Sequence, residues 1–411
     1  MRTKIILAIT IIGIVVVVIF NAELMPLRRD ISNTEIIMVA GLDRVEDGYR
    51  ITLLKRNQSS ESSSNGESGT SSGKSKVISM TADSYSMALR QLQTTTDKFL
   101  TASHIKYYII GEDTLKADML HLTDAIARGY QNRLNSKIYI AKGMSAKEFL
   151  EKASKLDFKV AEKIGNMEDN FWLSSASVET NIVDFGHITF SERGDGLVNS
   201  LEFYERRMEE EENNESSSSG KSSEEKTATS FTYGGAAVIA NNVLVEYLSE
   251  DQTIYANYIL KEDNVNVLKV YDEEYFVSFR VEKLNTDISF RFDQNDVINE
   301  LVICVEFQAD YEETNAEVPI FTQDRIDYFE DKLNNMVAKQ LTEIINIEIE
   351  KGIDFLNLSQ RLEFKHPFKY ENNKRDFIAL LKNSKITING KGKIKTTYDI
   401  IDSNEHQKGD N

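Results

Sequence analysis

The spacing of apolar and polar positions divides this chain into an apolar start, alternating strand-like and helix-like segments, and two polar interruptions. Ile5 to Phe20 carries no charge. As a helix it reaches about 24 Å, and Asn21 to Met25 extend it toward the ~30 Å of a hydrocarbon core. Glu35–Asp43 and Gly48–Leu54 then read as paired strands across a charged turn, and the strand pattern resumes at Val77–Met80. Met87, Leu89, Leu92 and Phe99 recur at helical spacing from Ser84 onward. Ile105–Ile110 predicts a strand, Leu115–Tyr130 a helix, Lys137–Lys142 a strand, and Ser145–Leu156 a helix opened by a Ser145/Glu148 capping box. This alternation predicts a layered α/β or α+β structure.

The second half reads differently. Thr232–Ala240 and Val243–Leu248 predict a hairpin about Asn241-Asn242. Further strands are expected at Val265–Tyr271, Tyr275–Val281, Thr286–Phe292 and Glu300–Phe307. One long helix follows, with Thr322 as its cap, Asp324 on its N-terminal dipole and Gly352 as its stop. Its apolar stripe is Ile326, Phe329, Leu333, Met336, Val337, Leu341, Ile344 and Ile345. A last hairpin is expected from Lys385–Ile388 and Lys393–Tyr398 about Asn389-Gly390.

The polar interruptions set the expected boundaries. Residues 57–76 hold nine Ser and three Gly, which bury too little apolar surface to offset chain entropy. Residues 201–231 carry an acidic run and a second serine tract. The expected organisation is a transmembrane signal anchor over 1–25, an N-terminal α/β domain over 30–200 with the Ser-rich loop 57–76, and an insertion or linker over 201–231. A C-terminal region over 232–402 follows, whole or divided into about 232–260 and 261–402.

Charge and candidate chemistry narrow the function. Arg2 and Lys4 ahead of the apolar run place the N-terminus in the cytoplasm and the rest outside. Phe20-Asn-Ala-Glu-Leu is a poor cleavage site, so an uncleaved anchor is expected, with a cleaved signal peptide as the alternative. The one cysteine, Cys304, does not follow the run, which removes a lipid anchor; a buried thiol on a strand is expected. A net charge of −18 argues against nucleic acid. Gly69-Thr-Ser-Ser-Gly73-Lys74-Ser75 has three residues between its glycines where a phosphate loop needs four, and Gly220-Lys221-Ser222 fails likewise. His104, His121, His187, His366 and His406 are scattered, with no metal-binding spacing. No catalytic, cofactor-binding or metal site is read from the residues. Lys382, Lys385, Lys391, Lys393 and Lys395 form the one basic cluster, expected as a solvated sheet edge, with an acidic partner or lipid headgroups as the alternative.

Several segments, taken in order, resemble the Ger(x)C family, the C subunits of spore nutrient-germinant receptors. They are Glu35–Arg44 with Tyr49-Arg-Ile-Thr52, Ser103–Glu112, Arg128, Ala141-Lys-Gly143, Gly234–Ala240 with Val243–Leu248, Gly352–Leu356 and Phe364-Lys-His-Pro367. The chain departs from the family pattern in lacking a lipidation cysteine, in Asn357 where a glycine is usual, and in its two Ser-rich insertions. The expected fold, from the resemblance and the residue pattern together, is α+β: an N-terminal transmembrane helix followed by two to three mixed α/β domains, the last with a curved antiparallel sheet and a long helix. The resemblance itself implies three α/β domains. It implies a non-enzymatic subunit with its soluble part on the outer face of the spore inner membrane, assembled with the receptor's A and B membrane subunits. His104 and His366 would then be structural residues holding strand ends. A membrane-anchored solute-binding or envelope structural protein and an exported hydrolase are the competing classes.

Overall fold

Four parallel strands form the middle of the larger sheet: β2 (Val39–Val45), β6 (Tyr107–Gly111), β7 (Lys137–Ala141) and β8 (Gly196–Arg207). On one side β3 (Gly48–Lys55) and β4 (Lys76–Ala82) add an antiparallel meander; on the other β9 (Thr227–Ala240) and β10 (Val243–Tyr247) add a hairpin. The order is β10-β9-β8-β7-β6-β2-β3-β4. The computed structural model describes residues 11, 13, 33–55, 76–117, 119–129, 132–156, 159–170, 175–207, 227–260, 265–272, 275–315 and 322–395. Apart from Ile11 and Gly13, the expected anchor over 1–25 lies outside the described residues, as do nearly all of 57–76 and the middle of 201–231. Among the described residues no helix is long and apolar enough to cross a membrane.

Helices cover both faces of this sheet, which is why β6 and β7 are apolar without alternation and buried almost throughout. One face carries α1 (Tyr85–Thr94), α2 (Glu112–Ala117), α3 (Met119–Arg128) and α6 (Ile182–Phe190), packed through Leu92, Leu115, Leu122, Ile126 and Phe185. The other carries α4 (Ala146–Ala153) and α5 (Val160–Asp169), packed through Phe149, Leu150 and Ile164. The predicted capping box at Ser145 and Glu148 is present, and a second at Asn181 and Asp184 opens α6. A short parallel pair, β1 (Thr34–Ile36) and β5 (Phe99–Thr101), stands apart from the sheet. Both ends of the 201–231 stretch are strand, with Glu202 opposite Thr232 and Phe203 opposite Phe231, so the chain returns to the same sheet.

Asn241 and Asn242 both have positive φ (50° and 62°), as the hairpin turn after β9 requires. Next comes α7 (Glu250–Leu260), which no apolar stripe announces because Tyr255 to Ile259 are buried on every side. The smaller sheet holds β11 (Asn266–Asp272), β12 (Tyr275–Phe292), β13 (Ile298–Thr314) and β14 (Lys385–Lys395), in that order. β12 merges two expected strands, with Lys283 (φ 50°) at the bulge between them. The long helix, α8 (Gln323–Lys351), packs on this sheet through Phe329, Leu333, Val337 and Leu341. Gly352 stops it in the left-handed region (φ 74°), as predicted, whereas Thr322 caps it through its carbonyl and not its side chain. α9 (Leu358–Lys365), α10 (Pro367–Asn373) and α11 (Phe377–Asn383) lead back to β14.

The expected final hairpin does not form, and the smaller sheet is therefore not wholly antiparallel. Lys385–Lys395 is one strand lying parallel to β13, reached by the crossover through α8 to α11. Asn389-Gly390 is not a turn. A Cβ at Gly390 would sit 2.6 Å from the carbonyl oxygen of Asn334, so glycine is there to let α8 approach the strand. Asn334 and Glu330 of α8 then accept the amides of Gly392 (2.5 Å) and Ile394 (2.9 Å), which closes that sheet edge.

Candidate functional site

The carboxyl ends of β2, β6 and β7 meet the first turns of α2 and α4, the usual place for a site in an open α/β sheet. Asp43 leaves β2 and reaches the start of α4, where Oδ1 accepts the Ala146 amide (2.7 Å) and Oδ2 the Lys147 amide (3.1 Å). Only glycine fits between them: a Cβ at Gly111 would lie 2.2 Å from Asp43 Oδ1 and 3.1 Å from Ala146 N. Glu112, the next residue, spans three elements. Its Oε2 accepts the Gly143 amide (2.6 Å) and the Tyr247 hydroxyl (2.8 Å), and its Oε1 accepts Lys116 Nζ (2.7 Å).

Arg44 and Arg50 line the rim, and Lys142 is held beside Tyr247. The Arg44 amide donates to Thr114 Oγ1 (2.8 Å), its Nη1 donates to the Gly48 carbonyl (2.8 Å), and its guanidinium lies 4.5 Å from the centre of the Tyr49 ring. Lys142 donates to the Gly234 carbonyl (2.8 Å), pairs with Glu202 (2.8 Å) and lies 5.2 Å from the Tyr247 ring centre. A cavity of about 440 Å³ here is lined by Asp43, Arg44, Arg50, Glu112, Ser145 and Glu148.

Burial pushes the Asp43 carboxyl above its ordinary range; the Ala146 and Lys147 amides and nearby Arg50 oppose this in part. Burial also acts on Glu112, but the donors from Lys116, Gly143 and Tyr247 outweigh it and hold that carboxyl below the usual range. The Ser145 amide and hydroxyl hold Glu148 low as well. Carboxyls displaced in opposite directions are the pattern of an acid–base pair. Here, however, each oxygen of Asp43 and Glu112 is already bound to an amide, a hydroxyl or an ammonium. The arrangement is chemically a clamp: it fixes two helix starts and one strand end around a polar cavity.

Several segments singled out in the sequence come together here. Asp43 and Arg44, Gly111 and Glu112, and Gly143 line the cavity, and Lys142, next to Gly143, donates to the Gly234 carbonyl. Gly352–Leu356 and Phe364–Pro367 do not; they form the corners on either side of α9. Asp43, Arg50, Gly111, Glu112 and Tyr247 all stand in segments singled out in the sequence, without an assigned role there. The available signal was a Gly-Glu pair directly after an apolar strand, which places a carboxylate at the strand's carboxyl end.

The remaining candidates lie elsewhere. His104, His121 and His187 are exposed. His366 packs edge-on against Phe292 of β12 (5.1 Å). His406 and both Gly-Lys-Ser stretches lie outside the described residues. Among the described residues no group of three or more His, Cys, Asp or Glu could hold a metal ion. Cys304 is half-buried, because alternation in β13 turns Ile303 and Val305 inward and Cys304 to the other face. In the lysine cluster, Lys385, Lys391 and Lys393 are neutralised by Glu300 (3.1 Å), Glu306 (3.2 Å) and Glu330 (2.6 Å).

Comparison with known proteins gives two matches in chain order. Residues 28–203 match the family described as spore germination protein N-terminal domain, and residues 234–398 match the one described as spore germination B3/GerAC like, C-terminal. A spore germination protein of Bacillus subtilis (strain 168), YfkR, is 26% identical over 139 residues. That alignment covers 33% of this chain and 36% of YfkR, so the chain matches about a third of that relative's length. The crystal structure of the GerBC protein aligns over 86% of this chain and 96% of its own, with 14% identity and a TM-score of 0.48.

Proposed function

From the premise that the chain belongs to the GerAC-like spore germination family, the Ger(x)C proteins, we propose that it is the non-enzymatic C subunit of a spore germinant receptor. The two family matches, in order over both halves of the chain, carry this reading. The cavity supports it: Asp43 and Glu112 hold helix starts in place, which suits a subunit that must keep a shape for its partners. In this reading residues 1–25 are a retained single-pass anchor and the folded part lies on the outer face of the spore inner membrane. There it joins the A and B membrane subunits and supports assembly and the response to nutrient. We take the chain as an N-terminal α/β domain over 30–200 and a C-terminal region over 232–402 whose first strands, β9 and β10, complete the larger sheet. The 440 Å³ cavity favours one second reading, a membrane-anchored solute-binding protein.

An in-frame deletion in the spore-forming host tests the proposal. Spores lacking this chain should lose the response to at least one nutrient and still germinate with a non-nutrient trigger. Unchanged germination across a full nutrient panel would refute it.

A further inference from the structure

Three carboxyl groups from separate parts of the chain meet where the last turn of α8 faces the approach to β8. Glu348 is fully buried, Asp354 is 3% exposed and Asp195 is 8% exposed. Asp195 ties the two halves together: Oδ2 accepts the Asp354 amide (3.1 Å), and Oδ1 accepts the Asn241 amide of the β9–β10 turn (3.1 Å). Asp354 caps α9 through the amides of Leu358 (2.8 Å) and Ser359 (3.0 Å) and also accepts the Ser359 hydroxyl. Glu348 Oε2 accepts the Leu356 amide (2.9 Å). No donor among the described residues reaches Glu348 Oε1, and the carboxyl beside it is that of Asp354.

Two adjacent buried carboxylates cannot both be charged at modest cost, and an acceptor oxygen without a donor is costly in itself. One hydrogen resolves both problems, since a protonated Glu348 can donate from Oε1 to Asp354. The surrounding charges agree with that choice. Arg193, on the approach to β8, attracts Asp354 and favours its ionised form, while its Nη2 donates to the Lys374 carbonyl (2.9 Å). Lys351, on the same end of α8 as Glu348, is taken up by Glu246 of β10 (2.9 Å), and Arg361 of α9 donates to the Ile259 carbonyl. Burial and the neighbouring Asp354 lift the Glu348 carboxyl well above its ordinary range; burial also lifts Asp354, against its hydrogen bonds from Ser359 and the pull of Arg193.

We propose that Glu348 and Asp354 share one proton in the folded chain, and that this proton holds together the α8–α9 corner, which Asp195 ties to the β8–β9 end of the larger sheet. Because the carboxyls are raised in the folded state, the latch is whole below the ordinary carboxylate range and loosens as pH rises through the folded value. Loss of the proton at alkaline pH leaves two charges in contact and frees the corner. Because Asp195 accepts the Asp354 amide, the state of the corner reaches the larger sheet without any change of covalent structure.

Amide hydrogen exchange on the full-length chain in mild detergent, at pH values from 4 to 9, tests this. After correction for intrinsic exchange, peptides covering 354–359 and 241 should exchange at least about tenfold faster at the alkaline end, the factor that one unit of upward shift carries. Glu348→Gln, which keeps the shape of the protonated acid, should hold that change to within about threefold. A wild-type corner whose corrected exchange does not vary with pH would overturn the proposal. So would a Glu348→Gln chain with the wild-type pH response, or one that fails to fold where the neutral isostere should fit.

Discussion

Replacing Asp43 separates the clamp from ordinary packing. In Asp43→Ala the Ala146 and Lys147 amides lose their acceptor at the start of α4. A buried donor left unpaired costs about 1–3 kcal/mol, and the Lys147 amide, only partly buried, sits at the low end of that range. Against this, the variant no longer has to bury a carboxylate, a cost visible in the upward displacement of Asp43. The net loss should be about 1–3 kcal/mol, or roughly 3–8 °C in the melting temperature of a unit of this size. Asp43→Asn keeps one acceptor and the shape of the side chain, so it should lose only about 1 kcal/mol. The sign with pH follows from the same displacement. The contribution of Asp43 is largest below the ordinary carboxylate range and is lost as pH rises through its raised folded value, so the gap between wild type and Asn should narrow as pH rises. Thermal unfolding followed by circular dichroism at acidic and neutral pH measures all three. An alanine variant within about 0.5 kcal/mol of wild type, or an asparagine variant as unstable as alanine, would refute the clamp.

Other positions give sharper local tests. Gly390→Ala should destabilise by about 1–3 kcal/mol in chemical unfolding, since the methyl meets the backbone of α8 and not a movable side chain. Glu112→Gln should flatten the acid side of the stability profile, because the lowered Glu112 carboxyl contributes above its ordinary range and loses that contribution as pH falls; a pH series of unfolding midpoints reads this. Phe364→Ser and Phe368→Ser, at 78% and 93% exposed, should leave stability within about 0.5 kcal/mol in the same assay.

Much of the layered core was legible because its signals are local. The Ser145 and Glu148 box, the Asn241-Asn242 turn and the Gly352 stop depend on residues within a few positions of each other. The stripe from Phe329 to Ile345 is buried where its spacing places it. What was not legible is set by distant partners. Asn389-Gly390 has the composition of a turn, and only the approach of Asn334 from α8 explains why it lies within a strand. α7 escaped notice because a helix buried all round has no polar face to mark its period. The clamp itself joins Asp43 to an amide 103 positions away, so its parts could be quoted as segments but not assembled.

Affinity purification of the tagged full-length chain from dormant spores in mild detergent, followed by mass spectrometry, tests the receptor assignment most directly. The assignment predicts co-isolation of one A-type and one B-type membrane subunit, with the apolar N-terminal peptide retained. Recovery of the chain without membrane subunits would contradict it.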